Sequence, residues 1–111
     1  MAINEQYRKW VCDLLTRYAA GWPSTEEVDT QLVFDQERDH YLWLRVGWKG
    51  SEPIYHNIIH FDIKQDKVWL QRNMTDQDPA EDLVEMGVSR EDIILGLQPR
   101  YARPYTDYGV A

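Results

Sequence analysis

Three histidines, one Asp-x-Lys tripeptide and a short Arg/Tyr-rich segment are the features of this 111-residue chain whose residue types could do chemistry. His56 and His60 lie four apart, the spacing of a metal pair on a helix. They fall instead in the Ile- and Phe-rich run from Tyr55 to Ile63, which reads as a strand. Four strand residues span about 13 Å, too far for two ligands of one zinc ion. His40 belongs to a neighbouring strand and can approach one of them, but no third ligand is evident. The expectation is therefore partly buried, hydrogen-bonded histidines, with no metal and no other cofactor. Asp62-Ile63-Lys64 imitates the acid-x-Lys element of a metal-dependent nuclease strand, with Asp35 or Asp39 as the upstream carboxylate. Asp62 and Lys64 also share one face of a strand, so a solvated ion pair accounts for them equally. There is no Ser/His/Asp set, Gly-rich phosphate loop or HExxH motif. No catalytic residue is assigned, and the chain reads as a non-enzyme.

Other residues suit binding rather than catalysis. Arg100-Tyr101-Ala102-Arg103-Pro104-Tyr105 holds two bases, two aromatics and no acid. Arg and Tyr are frequent interface anchors and also stack on unpaired bases, while a tail packed on its own domain is the structural alternative. From Ser24 to Asp39 six acids face only Arg38, and from Asp76 to Glu85 five acids face no base. Such blocks suit a solvated loop and a helix start, or an acidic surface that docks a basic partner. The partner-binding set read from the sequence is thus Arg100, Tyr101, Arg103 and Tyr105 with the acidic turn Asp35, Glu37 and Asp39. Nineteen acids against twelve Lys and Arg give a net charge of −7. Tight autonomous DNA binding, which rests on a basic surplus, is not expected.

The elements that must position these residues follow from periodicity. Tyr7, Trp10, Val11, Leu14, Leu15 and Tyr18 repeat at helical spacing, with Asn4 as the N-cap and Gly21-Trp22-Pro23 as the stop. Cys12 lies beside this stripe as a small structural residue, and as a single cysteine it excludes an intrachain disulfide. The period then changes to two through Val28–Phe34, His40–Trp48, Tyr55–Ile63 and Val68–Gln71, with short polar turns between, which predicts a four-stranded antiparallel meander. Apolar residues occur on both faces, so cover is expected on each side. Asp78-Pro79 opens a helix that Gly87 ends, and Ser89-Arg90-Glu91-Asp92 resembles a capping box for a second helix over 91–95. The whole is one α+β domain over 1–111: an N-terminal helix, a four-stranded sheet and two short C-terminal helices. No signal peptide or membrane span is visible, which predicts a cytoplasmic protein. Five Trp and seven Tyr exceed what one small core readily hides. A homodimer is expected, with Trp22, Trp43 and Trp48 as exposed anchors.

Several of these segments together resemble a known family. Phe34-Asp35-x-Glu37-Arg38-Asp39-His40-Tyr41 leads to Val46-Gly47-Trp48, then His60-x-Asp62-Ile63-Lys64 and Val68-Trp69-Leu70-Gln71-Arg72. Leu83-Val84-Glu85-x-Gly87-Val88, Asp92-Ile93-Ile94-Leu95-Gly96 and Arg103-Pro104-Tyr105-Thr106 follow in order. The chain resembles, over essentially its whole length, the XisI family of fdxN element excision controlling factors of cyanobacteria. Its ending, Gly109-Val110-Ala111, departs from the Ala-Val-Ala-like pattern of the family. The resemblance implies an XisI-like fold and a non-catalytic role in excision of a DNA element during heterocyst differentiation. It also implies action beside a nuclease-like XisH protein and a site-specific recombinase. It carries over no catalytic residue. A metal-dependent nuclease using Asp62 and Lys64, or a small DNA-binding factor, are the alternatives.

Overall fold

The apolar stripe of the first segment becomes helix α1 (Ala2–Ala20), with Tyr7, Val11, Leu14 and Leu15 buried and Trp10 and Tyr18 packed at its margin. In this computed structural model residues 2–111 are described, with side chains from Asn4 onward. Asn4, expected as the N-cap, lies inside the first turn of the helix instead. The helix ends where the Gly21 and Trp22 amides donate to the Tyr18 and Ala19 carbonyls (3.1 and 3.0 Å) ahead of Pro23.

Four strands follow: β1 (Val28–Asp35), β2 (His40–Lys49), β3 (Glu52–Lys64) and β4 (Lys67–Asn73), each antiparallel to the next. The β3–β4 hairpin closes through Gln65 and Asp66, at φ 54° and 64°, the left-handed pair that matches strand twist in a two-residue turn. Two bulges interrupt the ladders. Ile58 is the extra residue where the β2–β3 register shifts, and Gln71 is the extra residue in β4 beside His60 and Phe61.

The sheet is five-stranded and mixed, not a four-stranded meander. Ile93 and Ile94 form β5, parallel to β4 with Ile93 opposite Val68 and Ile94 opposite Trp69. The helix expected over 91–95 is reduced to a 3₁₀ turn at Arg90–Asp92, and the Ser89 side chain makes no cap bond. Burial decides between the two: both isoleucines are 0% exposed, and as β-branched residues they suit a sheet edge better than a helix of one turn. Gly109 then bridges to Ile94, its amide donating to the Ile93 carbonyl (2.8 Å). Between them Arg100–Tyr105 forms a second 3₁₀ turn where the sequence showed no periodicity.

Helix α2 (Pro79–Met86) forms as expected, with the Asp78 carboxylate accepting the Glu81 amide (3.2 Å) and Gly87 at φ 126°. A Cβ at Gly87 would meet the Trp10 ring at 2.8 Å, so helix packing and backbone both require glycine there. Both helices lie on one face of the sheet, over Tyr41, Trp43, Ile59, Phe61, Val68 and Leu70. Trp43 is therefore no exposed anchor; it is 1% exposed, with Trp22 set edge-on against it (5.9 Å). Strand alternation sends Leu42, Leu44, Val33 and Tyr55 to the opposite face. Among the described residues no second helical layer covers that face. Leu42 and Leu44 are only half-buried, and Val33 and Tyr55 are exposed.

Candidate functional site

The β1–β2 turn, the β3–β4 turn and the C-terminal 3₁₀ turn gather at one end of the sheet, because successive hairpins alternate ends. Between the turns a cross-strand row runs Asp35, His40, Asp62, Trp69 on the face away from α1. Carried unbroken from the β2–β3 turn at Gly50-Ser51, the register would set His40 against Phe61, which faces the core. The Ile58 bulge moves pairing by one residue and sets His40 opposite Asp62. His60 stands on the same face, two residues before Asp62. His40 Nδ1 and His60 Nε2 each lie 2.7 Å from the same Asp62 oxygen, Oδ1. Gln71, freed from strand pairing by its bulge, donates to Oδ2 (3.2 Å).

Asp62 is consequently a buried carboxylate, 8% exposed, not half of a solvated ion pair. Burial pushes its carboxyl up, but the bonds from His40, His60 and Gln71 outweigh this and hold it below the usual range. Lys64 turns away, its ammonium 4.1 Å from the centre of the Trp69 ring. His56 pairs with Arg45 further along β3, beyond the Ile58 bulge, and takes no part. The hydrogen-bonded histidines expected from the sequence are His40 and His60. Asp62 is the third member that sequence reasoning did not join to them.

The acidic turn is built largely from its own contacts. Asp35 Oδ1 accepts the amides of Glu37 (3.1 Å) and Arg38 (3.0 Å). Asp39, at φ 61°, accepts Arg8 Nε (2.7 Å) and Nη2 (3.0 Å) from α1, together with the Tyr41 hydroxyl (2.7 Å). The Arg8 bond is the main reason its carboxyl sits below the usual range. Glu37 is the most exposed of the three, its side chain 88% exposed and 3.9 Å from the Arg38 guanidinium.

The C-terminal turn divides in the same way. Arg103 is a clamp: its guanidinium donates to the carbonyls of Leu95 (3.3 Å), Gln98 (3.1 Å) and Ala111 (3.1 Å) and lies over Trp69 (5.2 Å). Tyr101 and Tyr105 are 80% and 90% exposed, and Arg100 joins Lys64, Gln65 and Arg103 around a shallow groove beside Trp69. A small cationic groove and an acidic turn thus flank the His–Asp cluster. Cys12 is distant in character: burial pushes its thiol up to about 11, a structural residue without nucleophilic chemistry at neutral pH.

Residues 1–110 match the family described as XisI protein. The chain belongs to the XisI family. A XisI-like protein from Anabaena variabilis ATCC 29413 has a crystal structure with TM-score 0.94 at 56% identity, covering 97% of this chain and 99% of that one. The crystal structure of the fdxN element excision controlling factor XisI from the same organism gives TM-score 0.89 at 28% identity, covering 98% and 99%. No curated protein matches the chain. Kinship to XisI therefore spans the helix, the sheet and the C-terminal turns that assemble this end of the molecule.

Proposed function

We propose that this protein is a non-catalytic accessory factor that controls excision of a DNA element, of the fdxN type, by binding other proteins. The observation that carries the reading is its likeness along nearly the whole chain to the fdxN element excision controlling factor XisI. Its direct partner is a XisH-like protein, and through that complex a site-specific recombinase, in the cytoplasm of a cyanobacterium during heterocyst differentiation. Two tyrosine rings held out on a turn that Arg103 pins supply amphipathic anchors without much loss of side-chain entropy on binding. Arg100 adds a planar donor beside them, and Glu37 selects a basic face and speeds encounter. With net charge −7 and a groove of a few cations, duplex DNA is bound weakly unless a partner brings it. The sheet face of Val33, Leu42, Leu44 and Tyr55 supports a homodimer, since burying it twice removes exposed apolar area from water.

The test is binding to a purified XisH-like protein on a biosensor. Tyr101→Ala and Tyr105→Ala should speed dissociation about tenfold or more if either ring contributes roughly 2 kcal/mol. No binding at micromolar concentrations, or unchanged dissociation in the double variant, would sink the reading. Light scattering of the free chain should give twice 13.2 kDa, and a purely monomeric species would refute the dimer. A gel shift with random duplex that shows tight binding at physiological salt would favour the DNA-binding alternative.

A further inference from the structure

We infer that His40, His60 and Asp62 form a binding site for a divalent first-row transition metal, with zinc the ion best suited to the ligands. His40 Nδ1, His60 Nε2 and an Asp62 oxygen all lie within 4.8 Å of one another, and both nitrogens converge on the same oxygen at 2.7 Å. Imidazole nitrogens and a carboxylate bind zinc at about 2.0–2.2 Å, which sets neighbouring donor atoms about 3 Å apart. Small ring movements open the existing contacts to that spacing. The donor set is two neutral histidines and one anion, which suits zinc, cobalt or nickel better than calcium or magnesium.

Charge argues the same way. Asp62 is the carboxylate of this end that is most removed from water, and its ion-pair contacts are with His40 and His60. The neighbouring permanent cations are engaged elsewhere: Lys64 over Trp69, and Arg72 on the Asn57 carbonyl (3.0 Å) and the Met74 sulfur. A metal dication held between the two imidazoles and the carboxylate compensates that buried charge directly. The support around the ligands is built rather than incidental. Gln71 holds Oδ2 and leaves Oδ1 toward the histidines. Its amide is confined by Gly96, where a Cβ would stand 2.3 Å from Oε1. The His40 ring is half-exposed, so an ion has an entry path and water completes its coordination. Three protein ligands with an open position describe an exchangeable site, not a closed structural one.

The untagged, chelator-treated chain should be titrated near neutral pH with Zn²⁺ by calorimetry and with Co²⁺ by visible absorption. One ion per chain is expected, with Co²⁺ bands of nitrogen and oxygen ligation. His60→Ala and Asp62→Asn should each weaken binding at least tenfold, and Gln71→Ala by about tenfold as an outer support. His56→Ala, on the same strand but outside the cluster, should leave binding unchanged. If the Asp62 variant does not fold, His40→Ala, whose ring is half-exposed, carries the comparison. Absence of saturable Zn²⁺ binding, or equal affinity in the His40, His60 and His56 variants, would overturn the assignment. None of these readouts depends on a partner, so they stand or fall apart from the excision role.

Discussion

Asp39→Ala should cost this fold about 4 kcal/mol, although its position in an acidic surface turn suggests a harmless change. Three losses add up. Alanine at φ 61° carries a left-handed backbone that aspartate tolerates better, a penalty of about 1 kcal/mol. The paired bonds from Arg8 go, and since both side chains are mostly shielded (27% and 16% exposed) this is worth about 1.5 kcal/mol, at the low end for charged bonds. The Tyr41 hydroxyl, on a residue 0% exposed, loses its acceptor, adding about 1.5 kcal/mol. In urea, where a domain of this size unfolds with a slope of roughly 1.5 kcal/mol/M, the midpoint should fall by about 2.5 M. Asp39→Gly separates the contributions, because it keeps the backbone relaxed and should recover about 1 kcal/mol of the loss. Tyr41→Phe in the Asp39→Ala background should be nearly neutral or stabilising, since the orphaned hydroxyl is then removed. A midpoint shift under about 0.5 M for Asp39→Ala, or equal shifts for Ala and Gly with no coupling to Tyr41, would refute the reasoning.

Three further outcomes follow from the same contacts. Asp39 and Asp62 are both held below the ordinary carboxylate range in the folded chain, so their stabilisation is complete above about pH 5 and is lost as pH falls through about 4 and below. Acid denaturation followed by circular dichroism should show this limb, shallower in Asp62→Asn, and equal slopes would count against it. Gln65→Asn with Asp66→Gly gives the β3–β4 turn the residues its left-handed backbone favours and should add about 1 kcal/mol, raising Tm by about 5 °C in calorimetry. An unchanged Tm would show that the turn is not strained. Glu37→Lys, on a side chain 88% exposed, should slow association with a XisH-like protein and flatten its salt dependence while leaving dissociation alone. A change confined to dissociation would instead place Glu37 inside the contact.

Much of the fold is legible in the residues. The α1 stripe, the four long strands, the three turns and the Asp78 cap follow from period, Gly and Pro placement, and short polar breaks. What escaped is set by pairing between distant segments. Ile93 and Ile94 are too few to show a period, and a capping-box pattern precedes them, so only burial against Val68 and Trp69 makes them a strand. Trp43 alternates with Leu42 and Leu44 in a strand apolar on both faces, and periodicity alone cannot say which face the helices cover. The His–Asp cluster was hidden by a single extra residue. Counting back from Gly50 puts His40 on the wrong side of the sheet from Asp62, and no side chain announces the bulge at Ile58. Asp39 and Arg103 read as interface residues by type, yet their bonds are spent inside the domain. Glu37, Tyr101 and Tyr105 keep the exposure that docking needs.

The unequal borders of the sheet limit how it can grow. Past β4 the ladder continues through β5 and stops at Gly109. There the backbone runs so close to Glu91 that a Cβ on residue 109 would stand 2.2 Å from the Glu91 carbonyl oxygen, and β5 itself is only two residues long, too short to register a further strand firmly. Among the described residues the other border is β1, whose first half is covered by its own approach segment: the Val28 carbonyl accepts the Thr25 amide (2.8 Å) and the Thr30 amide donates to Ser24 Oγ (2.8 Å), which leaves pairing to the half from Gln31 to Asp35. Strand addition in this molecule therefore has a valence of one. Two copies joined along β1 consume both borders and leave nothing to propagate, so self-pairing terminates where a sheet open on both sides would polymerise into a fibre.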